Sequence, residues 1–79
     1  MKKIEELMVI TMEECGELIQ ECSKSLRMNQ FDREELKSEI ADVMCMIELM
    51  LKNNVVTQQE ITDGIDRKKQ RLSKWSNLL

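Results

Sequence analysis

The 79-residue chain contains no histidine, no proline and no tyrosine, only two glycines, and one residue each of tryptophan and phenylalanine. Without histidine, zinc sites built on imidazole and Ser-His-Asp catalysis are excluded. Because proline is absent and glycine is scarce, the chain lacks the residues that most often interrupt helices. Any chemistry must therefore depend on carboxylates, lysine, arginine, hydroxyls or thiols, in a chain whose composition favours helix throughout.

Long apolar runs and an even set of cysteines are also missing. No segment approaches the roughly 20 apolar residues that cross a bilayer. The start, Met1 to Glu6, becomes acidic where a signal peptide would place its apolar region. Cys15, Cys22 and Cys45 are odd in number and lie inside helical patterns, which argues against a disulfide framework. We therefore expect a cytoplasmic location and no membrane partner.

The charge balance is mildly acidic, with a net charge of −3, and 34% of the residues are charged. A general nucleic-acid-binding protein usually shows a basic footprint, so we expect no nucleic-acid partner. The length allows a single domain, residues 1–79, which buries too little surface to be stable without help. Domains of this size usually need a metal, a disulfide or a partner chain.

Apolar residues at three- and four-residue spacing predict three helices. The predicted helices run from about Lys3 to about Met28, from Asp32 to about Asn54, and from Thr57 to about Trp75. Asp32 and Thr57 each precede a glutamate by three residues, as in the capping box that opens many helices. Because the connections are short, neighbouring helices should be antiparallel. The expected fold is all-α, with a three-helix antiparallel unit.

Beside its main apolar stripe, each of the first two helices has a second face that is acidic at one level and apolar at the next. These residues are Ile10, Glu14, Glu17 and Glu21 on the first helix, and Glu35, Glu39, Asp42, Met46 and Leu49 on the second. One three-helix unit cannot easily bury both faces. We therefore expect assembly into a multi-helix bundle as a homodimer or homotetramer, with the acids lining a cleft at its side.

Two acid pairs, Glu14 with Glu17 and Glu39 with Asp42, have the spacing that places two carboxylates side by side on a helix. Antiparallel helices would bring the pairs together, and their repulsion would favour a bound hard cation such as Mg²⁺. Gly16 costs about 1 kcal/mol relative to alanine inside a helix. Its position between two of the acids suggests that a ligand or another helix approaches closely there.

Spacing alone does not select the ligands. An acid pair on a helix is usually a solvated face, and Glu13, Glu21 and Glu35 lie close to the two pairs. The pattern by itself therefore leaves open both a metal site and an acidic surface without a ligand.

Two segments resemble a known family. Glu13 to Lys24 reads EECGELIQECSK, and Glu39 to Met44 reads EIADVM. Together they resemble the MazG-like all-α nucleoside triphosphate pyrophosphohydrolases, whose signature is Glu-x-x-Glu, a gap, and then Glu-x-x-Asp. The resemblance is strong from about Ile10 to Met50 and loose over the third helix.

The resemblance implies a metal site and a reaction. Glu14, Glu17, Glu39 and Asp42 would coordinate Mg²⁺, with Mn²⁺ as a substitute, and the metal would also hold the triphosphate of the substrate. A water activated by metal and carboxylate, with Glu14 or Glu17 as the base, would attack the α-phosphorus. The products would be pyrophosphate and a nucleoside monophosphate, in a nucleotide-pool or house-cleaning role.

Cations for the phosphates are expected at Lys24, Lys68 and Arg71. Relatives often show Lys, Asn and Arg at spacings of four and three on the third helix, whereas this chain has Gly64, Lys68 and Arg71. Only the arginine is retained in place, so the phosphate contacts on this helix are not fixed by the resemblance. For each of these cations a solvated basic face is the alternative.

Two alternative functions stay open. The same fold could act on another substrate, such as dUTP or phosphoribosyl-ATP, because the four acids do not distinguish these. The chain could also be a non-catalytic helical oligomerisation or regulatory module with solvated acids. Tight metal binding would distinguish either hydrolase from the non-catalytic module.

Overall fold

The computed structural model describes residues 1–79 and contains three α-helices and no strands. The helices are α1 (Lys3–Met28), α2 (Arg33–Lys52) and α3 (Gln58–Leu72). The all-helical fold is confirmed. The start of each helix agrees with the prediction, and α2 and α3 end slightly earlier than predicted.

Side chains at the helix starts satisfy the free backbone donors, as the sequence predicts. Asp32 Oδ1 accepts a hydrogen bond from the backbone N–H of Glu35 at 3.1 Å. Thr57 and Glu60 form both halves of a capping box, with bonds of 3.2 and 2.8 Å. At the carboxyl end of α1, Asn29 adopts the left-handed conformation (φ 50°), which asparagine tolerates well and which ends the helix.

The first two helices form an antiparallel hairpin. Lys3 and Leu7, near the start of α1, share a cavity with Leu49 and Asn53 near the end of α2. At the opposite end of the hairpin, residues late in α1 share a cavity with residues early in α2. The antiparallel arrangement expected from the short connection is therefore present for this pair.

The third helix does not complete a three-helix unit. Extensive packing is confined to α1 and α2, and α3 has at most marginal contact with either. The radius of gyration is 14.9 Å, whereas a compact chain of this length would have about 12 Å. The predicted antiparallel unit of three helices is thus reduced to a two-helix hairpin, because the connection through Asn53 and Asn54 directs α3 away from it.

The two helices meet mainly through the mixed faces, and of the main apolar stripe of α1, Leu7 also lies at the seam. Leu7 and Ile10 lie opposite Met46 and Leu49 at one end of the hairpin. The acids of the same faces lie opposite one another at the other end. The expectation that the acids line a cleft at the side of a larger bundle stays a prediction. They lie in the seam between α1 and α2.

The chain alone has almost no apolar core. Leu7 and Met46 are the only buried hydrophobic residues, each 6% exposed. Much of each main apolar stripe stays open to solvent, with exposed fractions from 38% to 84% at Met8, Met12, Ile19, Leu26, Ile40 and Met44. Other members, such as Leu18, Leu36, Val43 and Ile47, are partly buried. None of the three helices combines the length and apolar character needed to cross a membrane.

Candidate metal centre

The hairpin brings together the four acids singled out in the sequence. Glu14 and Glu17 lie one helical turn apart on α1, and Glu39 and Asp42 do the same on α2. One carboxylate oxygen from each of the four lies within 4.8 Å of all the others. We call these four residues the acid cluster.

The acids interact in two pairs across the seam, Glu14 with Asp42 and Glu17 with Glu39. Burial raises the pKa of Glu14 above its ordinary value of 4.5, and the charges of Glu17 and Asp42 raise it further. Burial likewise raises the pKa of Glu39. The charge of Glu17 and a hydrogen bond between Glu39 and Glu17 raise it further. In each case the protonated form is favoured because desolvation and like charges both disfavour the anion.

Two oxygens of the acid cluster have no partner. Glu14 Oε2 and Glu39 Oε2 are buried and accept no hydrogen bond. A buried oxygen without a partner is unfavourable, and native structures contain few of them. No ion pair compensates these charges, since all three ion pairs of the chain lie within single helices and involve none of the four acids. The cluster therefore has unused acceptor capacity where two helices meet.

The four oxygens are of the ligand type that a hard divalent cation takes. Mg²⁺ binds oxygen ligands at roughly 2.0–2.1 Å in octahedral geometry, so adjacent ligands lie about 3 Å apart and opposite ligands about 4 Å apart. The four oxygens lie within 4.8 Å of one another, so a bound ion would have to draw them closer together. Glu17 and Asp42 are exposed, which leaves room for water and for phosphate oxygens.

A cavity of about 560 Å³ extends from the acid cluster along the seam towards the α1–α2 turn. Its charged lining residues are Glu17, Glu21, Lys24, Arg27, Glu35 and Glu39. The cavity is thus acidic beside the cluster and carries two cations further along α1.

The three predicted phosphate ligands fall in different places. Lys24 lines the cavity, and its Nζ lies 3.5 Å from Glu21 Oε2. Lys68 and Arg71 lie on α3 and line no cavity of the chain, because α3 does not approach the hairpin. Of the three predicted phosphate ligands, a single chain therefore brings only Lys24 to the cavity beside the acid cluster.

Gly16 does not have the close neighbour that its position suggested. A Cβ atom placed there would meet nothing within 4 Å. The glycine packs against nothing within this chain, so the hairpin alone does not explain it.

Two cavity residues were not assigned a role from the sequence. Glu21 is 7% exposed, and its Oε1 accepts no hydrogen bond. Arg27 lines the cavity beyond Lys24. The place of Glu21 at the seam could have been predicted from a seven-residue repeat on α1, which continues from apolar to acidic residues. Its members are Leu7, Ile10, Glu14, Glu17 and Glu21.

Comparison of the chain with family models, with curated proteins and with solved structures found no match. The class of protein is therefore inferred from the acid cluster and its surroundings.

Proposed function

We propose that the chain is a Mg²⁺-dependent, MazG-like nucleotide pyrophosphohydrolase that converts a nucleoside triphosphate to a monophosphate and pyrophosphate. The observation that carries this proposal is the convergence of four carboxylate oxygens within 4.8 Å at the seam of the hairpin. The buried, unpartnered oxygens of Glu14 and Glu39 support it, because a solvated acidic face would leave its oxygens in water.

The acid cluster would hold Mg²⁺, with Mn²⁺ as a substitute. When bound, the metal neutralises charge on the phosphate oxygens and lowers the pKa of a coordinated water. Glu14 and Glu39, with their raised pKa values, lose their protons when a cation replaces the proton as the compensating charge. The acid cluster suits Mg²⁺ because it offers several carboxylate oxygens close together, which are the ligands that this ion prefers.

Two acids are suited to proton transfer. Glu17 is exposed to the cavity where substrate and water enter, and Glu14 lies beside it on α1. Either carboxylate can accept the proton of the attacking water, a role that needs no histidine. Lys24, on the same cavity, supplies positive charge to the phosphates of the substrate. Phosphoryl transfer depends mainly on such positioning and charge neutralisation.

The substrate range is kept broad within this proposal. The cluster recognises the triphosphate and not the base, so ordinary ribo- and deoxynucleotides, dUTP and phosphoribosyl-ATP are all candidates. The cavity offers no aromatic side chain to stack on a base.

We further propose that the functional unit is a homo-oligomer, a dimer or a tetramer. The chain exposes 6634 Å², whereas a compact monomer of 9.3 kDa would expose roughly 5,000 Å². The excess of about 1,600 Å² per chain corresponds to a dimer interface of about 3,200 Å², within the range of obligate homodimers. A second copy of the chain is the occupant that supplies apolar stripes of matching length.

The experiment that tests the reaction is pyrophosphate release from a panel of ribo- and deoxynucleoside triphosphates, dUTP and phosphoribosyl-ATP, with Mg²⁺ and with EDTA. We expect release that requires the metal, with the monophosphate as co-product. If no substrate in the panel is hydrolysed although the folded protein binds Mg²⁺, the hydrolase proposal fails. Weak, salt-sensitive metal binding together with no hydrolysis would favour the helical oligomerisation module.

A further inference from the structure

The cavity beside the acid cluster has a polarity that orients a ligand. The acid cluster lies at one end of the cavity. Lys24 and Arg27, the only two of the twelve lysines and arginines that line it, lie further along α1, where Glu21 and Glu35 also line the cavity. Both cations lie towards the α1–α2 turn.

The two cations differ in how far they are already neutralised. Lys24 is shared with Glu21, whose Oε2 lies 3.5 Å from its Nζ. Arg27 has no carboxylate partner. Its only side-chain bond is from Nη1 to Ser23 Oγ at 3.3 Å, which leaves most of the guanidinium donors free.

That bond also sets the position of the guanidinium. Ser23 lies one turn before Arg27, so the arginine side chain folds back along α1 towards the acids. The level of Ser23 is about 9 Å along the helix axis from Glu17. The guanidinium therefore lies beyond the acid cluster in the direction of the cavity, where phosphates further from the reacting one would lie.

We propose that Arg27, assisted by Lys24, binds the outer phosphates of the substrate, so that the polyphosphate runs from the acid cluster towards the α1–α2 turn. This inference rests on the proposed function and adds the orientation of the substrate to it. A guanidinium fork matches two phosphate oxygens at once, which a lysine cannot do. The leaving pyrophosphate occupies the Arg27 end, and the nucleoside occupies the opposite side of the cluster.

The charges of the cavity also predict that pyrophosphate binding requires a divalent cation. Four carboxylates line the cavity against two cations. Pyrophosphate without a metal is therefore repelled. Pyrophosphate should therefore bind with Mg²⁺ and not with EDTA.

The test is calorimetric titration of the full chain with inorganic pyrophosphate and, separately, with a nucleoside monophosphate, both with Mg²⁺. Arg27→Gln should weaken pyrophosphate binding about tenfold, the effect of losing charge-assisted hydrogen bonds, and leave monophosphate binding unchanged. Arg27→Lys should recover part of the loss. Arg33→Gln is the matched control, since Arg33 lies near the same turn, is exposed and does not line the cavity.

Several outcomes would overturn the inference. Pyrophosphate binding that is equal in wild type and Arg27→Gln removes the role of Arg27. If Arg27→Gln weakens monophosphate binding and leaves pyrophosphate binding intact, the substrate lies in the opposite orientation. If Arg33→Gln weakens pyrophosphate binding as much as Arg27→Gln does, the effect comes from the overall positive charge near the turn and not from a contact with Arg27. Circular dichroism of each variant confirms that the helices are retained.

The failure of the proposed function is separately visible. If the wild-type chain binds pyrophosphate through Mg²⁺ and Arg27 but hydrolyses no triphosphate, the polyphosphate site stands and the hydrolase proposal falls. If it hydrolyses triphosphates with an unchanged KM in Arg27→Gln, the hydrolase stands and this inference falls.

Discussion

Glu39 has two properties that are both unfavourable for an ionised carboxylate without a cation. One of its oxygens is buried without a hydrogen-bond partner, and its carboxylate faces the negative charge of Glu17. Both features destabilise the folded hairpin when no cation is bound, and both favour a cation. Stability given up at a functional site in this way is common in proteins.

Glu39→Gln should abolish metal-dependent hydrolysis and raise the melting temperature of the metal-free protein, because it removes one charge from the acid cluster and keeps the shape of the side chain. Pyrophosphate release and thermal unfolding with EDTA measure the two effects. Glu48→Gln is the matched control on α2, since Glu48 is exposed and lies outside the cluster and the cavity. Normal turnover in Glu39→Gln would contradict the assigned site.

The raised pKa values of Glu14 and Glu39 predict a dependence on pH. The folded metal-free state binds more protons than the unfolded state, so these two groups make the chain less stable as the pH rises from 4.5 through their raised values. Mg²⁺ competes with these protons. The increase in melting temperature caused by Mg²⁺ should therefore shrink as the pH falls through the raised values.

Thermal unfolding with and without Mg²⁺ between pH 4.5 and 7.5 measures this dependence. The double variant Glu14→Gln, Glu39→Gln removes both groups and should show little effect of Mg²⁺ at any pH. A stabilisation by Mg²⁺ that stays constant over this range in the wild type would show that neither carboxyl exchanges a proton for the metal.

At the scale of the helix, the α1–α2 turn sets the register of the acid cluster. Asn29 ends α1 in the left-handed conformation, and Asp32 opens α2 by accepting a hydrogen bond from the Glu35 N–H. A shift of α2 along α1 would separate Glu39 and Asp42 from Glu14 and Glu17. The cap therefore supports both the helix and the site.

Asp32→Ala should lower the free energy of unfolding by about 1 kcal/mol, because the first turn of α2 loses its side-chain acceptor. Urea denaturation followed by circular dichroism measures the loss. Asp32→Asn keeps an acceptor of equal capping strength and should unfold close to the wild type. If the two variants were equally destabilised, the charge of Asp32 and not its cap would be the cause.

At the scale of the whole molecule, the chain lacks a core of its own. Only two hydrophobic residues are buried, and α3 presents Ile65, which is 49% exposed, to solvent. A two-helix hairpin with an unpacked third helix does not bury enough surface to offset the loss of chain entropy. The proposed oligomer supplies the missing contacts.

Light scattering at micromolar concentration should therefore give a mass that is a multiple of 9.3 kDa. Ile65→Glu should shift the protein towards the monomer and reduce its helicity, because it places a charge in the apolar stripe of α3. Gln70→Glu introduces the same charge at an exposed polar position of α3 and should leave the mass unchanged. A monomeric wild type with full helicity would contradict the proposal.

Much of the local structure could be predicted from the sequence. The three helices and their capping residues Asp32 and Thr57 are confirmed because they depend on local spacing and on nearby hydrogen bonds. The acid pairs could also be predicted, since positions three residues apart share a helix face and a short connection makes two helices antiparallel. The sequence by itself thus determined that carboxylates of the first two helices can meet, and the resemblance to the MazG-like family selected Glu14, Glu17, Glu39 and Asp42 among them.

Only the tertiary structure decided which faces form the seam. The sequence shows two faces on each of the first two helices that could be buried, and α1 and α2 pair mainly through the mixed faces and leave much of the main apolar stripes exposed. The position of α3, away from the hairpin, and the place of Arg27 on the cavity are likewise visible only in the tertiary structure. Hydrophobic periodicity indicates which face of a helix must be buried. The surface that covers that face depends on contacts between elements distant in the chain, and local patterns do not specify these contacts.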